Sequence, residues 1–486
     1  MYQLSAQQLH EAFISKRFSA EQITRYFLDR IRRFDNQLGS FLHVMEKRAI
    51  DQAKALDQKL ADGKPLGRLA GVPVAIKDNI HLKDEKTTCA SMMLKDYIAP
   101  YNASVVESLL KEDAIIIGKN NLDEFAMGST NENSAFYPCK NPWNTDLTPG
   151  GSSGGGAACV AARLCPISLG SDTGGSIRLP ASFTGTVGFK PSYGKVSRFG
   201  LVAYASSLDQ IGPMATNVYD TALAAEVISG HDPKDSTSLR SSKETYLDSL
   251  DQPIQGKTIG IPYAFLDSMT EERKSHFFAT VEHLRTLGCS VVPVDLPMSL
   301  HSIPVYYILA PAEASTNLAR YDGISFSKRS ENSPTLQTLY ENSRKEGFGK
   351  EVRQRILLGT YVLSSGHREA YYKKAQQVRT LIIREFKQAF NQCDIIALPT
   401  SPGAAFPIGS IQDPVKMYLQ DIFTIPANMA GLPALSLPTG FTQDHRPLSI
   451  QLVGPFKEDG RVLRFGYQLE KLLNLSLTPP LFDREV

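Results

Sequence analysis

Gly71-Val-Pro-Val-Ala-Ile-Lys77, then Ser104-Val-Val-Glu-Ser-Leu-Leu-Lys111, then Ala114-Ile-Ile-Ile-Gly118 is the stretch on which the fold turns. The first and third pieces are short apolar runs without polar alternation, which reads as strands buried on both faces. The piece between them has the length and spacing of a helix. Further apolar runs lie at Pro166–Leu169, Lys257–Ile261, Ser290–Val294, Asp394–Leu398, Ala434–Leu437 and Ser449–Val453. Helical patterns fill Asn217–Ser229, Glu271–Leu287, Lys350–Ser364, His367–Asn391 and Asp459–Leu473. Strands alternating with helices predict an α/β architecture, a mixed β-sheet flanked by helices.

Upstream of that stretch the chain reads as helix. Ser5-Ala-Gln-Gln8 and Ser19-Ala-Glu-Gln22 fit capping boxes, and Ile23, Phe27 and Ile31 lay an apolar stripe on one face. Another helix is predicted over Val44–Leu60, stopping near Gly63-Lys64-Pro65. The polar segment Gly230–Lys257 is the one linker-like stretch, and it also suits an exposed loop on a single domain. The runs Arg30–Arg33 and Lys373–Lys374 read as solvated helix faces.

Composition excludes several classes. Of 486 residues 42% are hydrophobic and 21% charged, the balance of a soluble globular protein. The formal net charge is +2, which is no footprint for a polyanion partner. The six cysteines form no CxxC pair, so no zinc ribbon or dithiol redox site is expected. No metal site is expected either. Nothing resembles a signal peptide or a membrane span, and a soluble cytoplasmic protein is the expectation.

One region carries chemistry. Thr148-Pro-Gly-Gly-Ser-Ser-Gly-Gly-Gly156 runs into an apolar helix, and Gly170-Ser-Asp-Thr-Gly-Gly-Ser-Ile-Arg-Leu-Pro180 follows a short strand. Glycine lets backbone approach a ligand closely. Phosphate binding fails, because no GxxxxGK[ST] occurs here. Gly151-Ser-Ser-Gly-Gly155 matches the GxSxG of α/β-hydrolases with Ser153 at its centre. Polar, proline-broken residues precede it where a strand belongs. His301, His367 and His445 are candidate triad partners without a distinctive context. Two SxxK matches, Ser192–Lys195 and Ser325–Lys328, lack companion motifs. A third reading joins both loops to Lys77 at the end of its apolar strand. A desolvated lysine has a lowered pKa and is a competent base.

GVPVAIKDN (71–79), GGSSGGGAACVAA (150–162) and SLGSDTGGSIRLPASFTG (168–185), in this order and spacing, resemble the amidase signature family. The resemblance implies a single amidase-signature domain over residues 1–486, with a helical N-terminal segment to about 63 and a catalytic core over about 64–230. It implies Ser176 as nucleophile, Ser152 as proton relay on a cis peptide, and Lys77 as base. The backbone N–H groups of Thr173, Gly174 and Gly175 are the implied oxyanion hole.

Four further segments, residues 118–136, 312–323, 347–366 and 421–438, resemble the A subunits of bacterial tRNA-dependent amidotransferases. That likeness implies hydrolysis of glutamine to glutamate and ammonia, with no cofactor in this subunit. It implies B and C partner subunits, ATP and Mg²⁺ used by the complex, and mischarged Glu-tRNA or Asp-tRNA as acceptor. Arg355 is the implied partner of the glutamine α-carboxylate and Asp421 of its α-amino group, with Ser129 and Tyr306 in the same pocket. Gly156 and Leu179 depart from the residues more usual in the family, and Leu179 bears on the polar lining of the pocket. A free-standing amidase acting on a small carboxamide is the competing reading; it would share the relay and not need Arg355 and Asp421.

Overall fold

The computed structural model describes residues 1–485 other than 241–243 and 268. Among the described residues one sheet holds eleven strands. In chain order they are β1 (Phe41–Val44), β2 (Pro73–Lys77), β3 (Ile115–Asn120), β4 (Ile167–Asp172), β5 (Val187–Lys190), β6 (Gln210–Ala215), β7 (Thr258–Ile261), β8 (Ser290–Pro293), β9 (Ile395–Pro399), β10 (Ala434–Phe441) and β11 (Pro447–Val453). Their spatial order is β1-β3-β2-β4-β6-β5-β10-β11-β9-β7-β8. β2 lies parallel to β3 and β4, and β7 parallel to β8 and β9, while the strands between run antiparallel. The sheet is mixed and flanked by helices, as the alternating pattern predicts.

The inner strands are buried because both faces of the sheet are covered, while β1 and β8 at its two ends are partly exposed. Val74 and Ile76 of β2 and Ile116 of β3 pack into one core with the helices Ser104–Lys111 and Val218–Ile228. Ala75, Ile115 and Ile117, the alternate residues, enter a second core with the helices Ala6–Ile14, Ala20–Leu38 and Glu46–Ala61. Both predicted capping boxes close, at Ser5 with Gln8 and at Ser19 with Gln22. A third and larger core joins the β9–β11 side to the helices Ser302–Asn317, Lys350–Leu363, Lys374–Ala389 and Asp459–Leu473.

Several readings are corrected. The Arg30–Arg33 run is not uniformly solvated. Arg32 and Arg33 are exposed, but Arg30 is wholly buried and donates to the carbonyls of Ala162, Arg163, Phe482 and Arg484. It thereby satisfies carbonyls left unpaired after the helix Gly154–Ala161. The helix predicted from Val44 starts at Glu46, because Val44 belongs to β1. The helix predicted from His367 opens with a π-helical stretch, Arg368–Lys373, before regular α-helix. The segment Gly230–Lys257 is laid against the same body. Asp232 accepts from Ser104 and Ser197, and Tyr246, Leu250 and Ile254 are buried; its residues 241–243 lie outside the described ones.

Lys77 and the loop of Ser176 lie at the ends of interior strands. Lys77 ends β2 and Asp172 ends β4, so the loops that follow leave from the carboxyl ends of parallel strands, the usual ligand position in α/β sheets.

Candidate active site

Lys77 is 1% exposed. Its Nζ donates to Ser152 Oγ at 2.7 Å, Ser153 Oγ at 2.8 Å and Ser171 Oγ at 3.0 Å. Burial penalises the ammonium and lowers its pKa to about 7. The Gly151–Ser152 peptide is cis. Gly151 has no room for a side chain, since a Cβ there would stand 2.1 Å from Asp123 Oδ2. Asp123 in turn accepts the N–H groups of Asn131 and Asn133, which fixes the wall behind the serines.

Ser153, at the centre of GxSxG, precedes the helix Gly154–Ala161, is wholly buried and donates to Ser171 O. The titratable group beside it is Lys77, not histidine. His301 precedes the Ser302–Asn317 helix, His367 stacks on Tyr371, and His445 sits in the β10–β11 turn. The SxxK pairs serve elsewhere: Ser192 binds Asp459, Lys195 binds Glu244, and Lys328 pairs with Glu346.

The second loop lies across the first. Ser153 N–H donates to Ser176 O at 3.0 Å, tying the loops together, and Ser176 is 7% exposed. Asp172 anchors this loop. It accepts a forked pair from Arg178 at 3.0 Å each and bonds from Asn428 and from the N–H groups of Gly175 and Ile177. Burial opposes its ionisation, but Arg178 outweighs that and holds the carboxyl at about 2. The N–H of Gly175 is therefore committed to Asp172, a departure from its expected place among the oxyanion donors. Those of Thr173 and Gly174 make no hydrogen bond among the described residues.

The pocket beside Ser176 is assembled from distant segments. A Cβ on Gly174 would meet Tyr306 Cζ at 2.9 Å, and one on Gly175 would meet Thr424 Oγ1 at 2.3 Å and Asp421 Oδ1 at 3.1 Å. Tyr306 and Asp421 therefore pack directly on the loop. Asp421 does not cap its own turn with its side chain; Oδ2 accepts from Ser129 Oγ at 2.6 Å. Burial raises its pKa to about 7. Arg355 is 5% exposed, unlike its helix neighbour Arg353, so it is not a surface charge. Its Nε donates to Glu351 and its Nη1 to Tyr204 OH, each at 2.7 Å, and the guanidinium lies over Tyr307. Its helix is seated by Gly359, where a Cβ would fall 1.9 Å from Pro311 O in the helix of Tyr306. Both tyrosines of the pair touch residues expected in the pocket, Tyr306 at Gly174 and Tyr307 at Arg355. Leu179 does not line it: it is wholly buried with Leu147, Phe183 and Ala405.

Sequence reasoning does not single out Ser171, Asp172, Arg178, Tyr204 or Asp209. Three of these stand inside the quoted GSDTGGSIR and carry a signal in their charge or hydroxyl; Tyr204 and Asp209 carry none. Among the described residues there is no cluster of three His, Cys, Asp or Glu able to hold a metal, and no helix long and apolar enough to cross a membrane.

The Amidase family profile matches residues 22–463. The chain is 57% identical over 473 residues to the A subunit of glutamyl-tRNA(Gln) amidotransferase from Protochlamydia amoebophila, covering 97% of each chain, and 51% identical to its counterpart from Chlamydia abortus. The crystal structure of the Thermotoga maritima glutamyl-tRNA(Gln) amidotransferase A subunit superposes with a TM-score of 0.81 at 40% identity, over 97% of this chain and 95% of that one. The peptide amidase of Stenotrophomonas maltophilia gives a TM-score of 0.84 at 26% identity, over 99% of both chains. A profile and relatives spanning nearly the whole chain, together with the buried lysine and its two serine loops, show that this protein belongs to the amidase signature family.

Proposed function

We propose that the chain is the glutamine-hydrolysing A subunit of a tRNA-dependent amidotransferase. The observation that carries this is a buried carboxylate, Asp421, against the loop of Ser176, and a buried cation, Arg355, joined to that loop through Tyr204, Asp209 and Thr173. Free glutamine presents one ammonium and one carboxylate beside its amide. Asp421 offers an acceptor for the ammonium. Among the described residues Nη2 of Arg355 makes no hydrogen bond, which leaves it free for a carboxylate oxygen.

The chemistry follows from the relay. Neutral Lys77 takes the Ser152 proton while Ser152 takes that of Ser176, and Ser176 Oγ attacks the side-chain amide carbon. The oxyanion that forms is met by the N–H groups of Thr173 and Gly174, a contribution of about 2.7–4 kcal/mol per donor. The proton returns through Ser152 to the amide nitrogen, the carbon–nitrogen bond breaks, and ammonia leaves. Water, activated by the same relay, hydrolyses the glutamyl ester to glutamate and regenerates Ser176.

Ammonia set free in bulk water is protonated and diluted, so a useful donor needs a partner holding the acceptor. B and C subunits, with ATP and Mg²⁺ activating Glu-tRNA(Gln) or Asp-tRNA(Asn), fit that need and the names of the relatives. The test is product analysis: glutamine with the chain alone, then with partner subunits, ATP and mischarged tRNA. Glutaminase turnover that rises on assembly supports the reading. A second reading, a free-standing amidase, draws on the likeness to the peptide amidase. Full turnover on simple amides, unchanged by partners, would establish it instead.

A further inference from the structure

The oxyanion loop has a weakness built into its sequence. Of Thr173, Gly174 and Gly175, two have no side chain; the N–H of Gly175 is held by Asp172, and Gly174 carries nothing of its own to fix the direction of its N–H. The third, Thr173, has a hydroxyl, and it is used: Oγ1 donates to Asp209 Oδ1 at 2.7 Å. Asp209 is 3% exposed and its other oxygen, Oδ2, accepts the N–H groups of Tyr204 at 2.9 Å and Ala205 at 3.0 Å. The side chain of Tyr204 reaches the other end of the pocket, where its phenol accepts from Arg355 Nη1 at 2.7 Å. One buried carboxylate therefore joins the loop that stabilises the oxyanion to the residue that braces the carboxylate-binding arginine. Charge-assisted bonds of this kind hold geometry more tightly than neutral ones.

We infer that Asp209 is a positioning residue, which through Thr173 sets the oxyanion donors and through Tyr204 couples them to Arg355. This rests on the proposed function for its substrate, glutamine, and not for its mechanics. A transition-state donor moved by a fraction of an ångström loses most of its worth, because its value lies in being aimed beforehand. A tie of this kind makes the loop's geometry depend on the arginine's, so that the pocket and the catalytic loop settle together.

The test uses the full chain assembled with its partners, on glutamine and on a small primary amide lacking the α-carboxylate. Thr173→Val keeps shape and removes the hydroxyl, whereas Thr173→Ser keeps it. Thr173→Val and Asp209→Asn should each lower kcat roughly 10–100-fold on both substrates, with KM moving by less than about threefold. Thr173→Ser should restore kcat to within about threefold of the parent. Tyr204→Phe, which loosens Arg355, should lower kcat on glutamine the more and, through the tie to the loop, kcat on the simple amide by about fivefold, and combining Thr173→Val with Asp209→Asn should cost no more than either alone. Parental kcat in a folded Thr173→Val variant, or a simple-amide kcat left at the parental value by Tyr204→Phe, would overturn the inference. A parent protein that shows no preference for glutamine refutes the proposed substrate instead, and the Thr173 and Asp209 comparison is then read on the simple amide.

Discussion

Lys77, Ser152 and Ser176 fall between residues 71 and 185, each in or beside a strand end or a glycine run. Ser129, Tyr204, Tyr306, Arg355 and Asp421 come from five separate segments and meet only in the folded chain. In the first region the backbone itself is specialised. Gly151 lies against Asp123 and Gly175 against Thr424, so glycines become obligatory and the chemistry leaves a dense local signature. In the second region ordinary residues acquire a role only by burial. An arginine in a helix with Arg353 and an aspartate beside a turn look like surface charges until the third dimension hides them. On the proposed roles, catalysis is written locally here and substrate choice at long range.

The comparison breaks first at the relay. Ser176→Ala should abolish turnover of every amide, by roughly 10⁴-fold or more, because relay members act as a unit. Lys77→Arg keeps the charge but removes the base, and should fall equally far with the fold intact by circular dichroism. The parent should lose activity as pH falls through about 7, since below that value the buried ammonium cannot accept a proton. An unchanged profile between pH 6 and 8 would exclude Lys77 as the base.

Asp421→Ala should act on one substrate class only. It leaves the ammonium of bound glutamine without its partner, at a cost of about 3 kcal/mol or more, roughly 10²-fold in kcat/KM. A small amide without an α-amino group should be hydrolysed near the parental rate. Equal losses would place Asp421 in the catalytic region and dissolve the distinction between the two.

Gly174 stands on the seam. A methyl there meets Tyr306 at 2.9 Å, so Gly174→Ala must push either the oxyanion loop or the pocket wall. An overpacked site of this kind costs about 1–3 kcal/mol. The loss should be shared by glutamine and by simple amides, as measured by kcat on each. A loss confined to glutamine would assign Gly174 to recognition alone.

What the sequence makes legible follows the same division. Eight strands are readable as apolar runs, and β2 and β3 most plainly, because both their faces are buried. β6 is hidden by Gly212 and Pro213 inside a central strand, β5 by Gly188 and Lys190, and β1 by His43, each of which breaks its apolar run. The helix Ser302–Asn317 escapes notice because it is apolar nearly all round and contains Pro311, so no 3.6-residue stripe marks it. It carries Tyr306, and without it the sequence leaves open which tyrosine faces the pocket. Arg30 illustrates the limit in the other direction: nothing near it in sequence announces the four carbonyls, more than a hundred residues away, that it binds.

The finest test of the division is Ser129→Ala, where the expected effect is small and its direction is fixed by electrostatics. Burial lifts the Asp421 carboxyl to about 7, and the bond from Ser129 Oγ works against that rise by stabilising the ionised form. Removing the hydroxyl therefore raises the carboxyl further. At pH 7 a smaller share of Asp421 is then ionised in the free enzyme, the glutamine ammonium finds a weaker partner, and KM should rise several-fold, about 1 kcal/mol for one lost hydrogen bond. As pH increases, Asp421 ionises again even without its donor, so the ratio of variant to parental KM should narrow. The Lys77 titration is common to both proteins and cancels in that ratio. A small amide without an α-amino group should show no change at any pH. If KM for glutamine rises by a factor that stays constant from pH 6.5 to 9, Ser129 touches the substrate directly, and its bond to Asp421 is not the route of its effect.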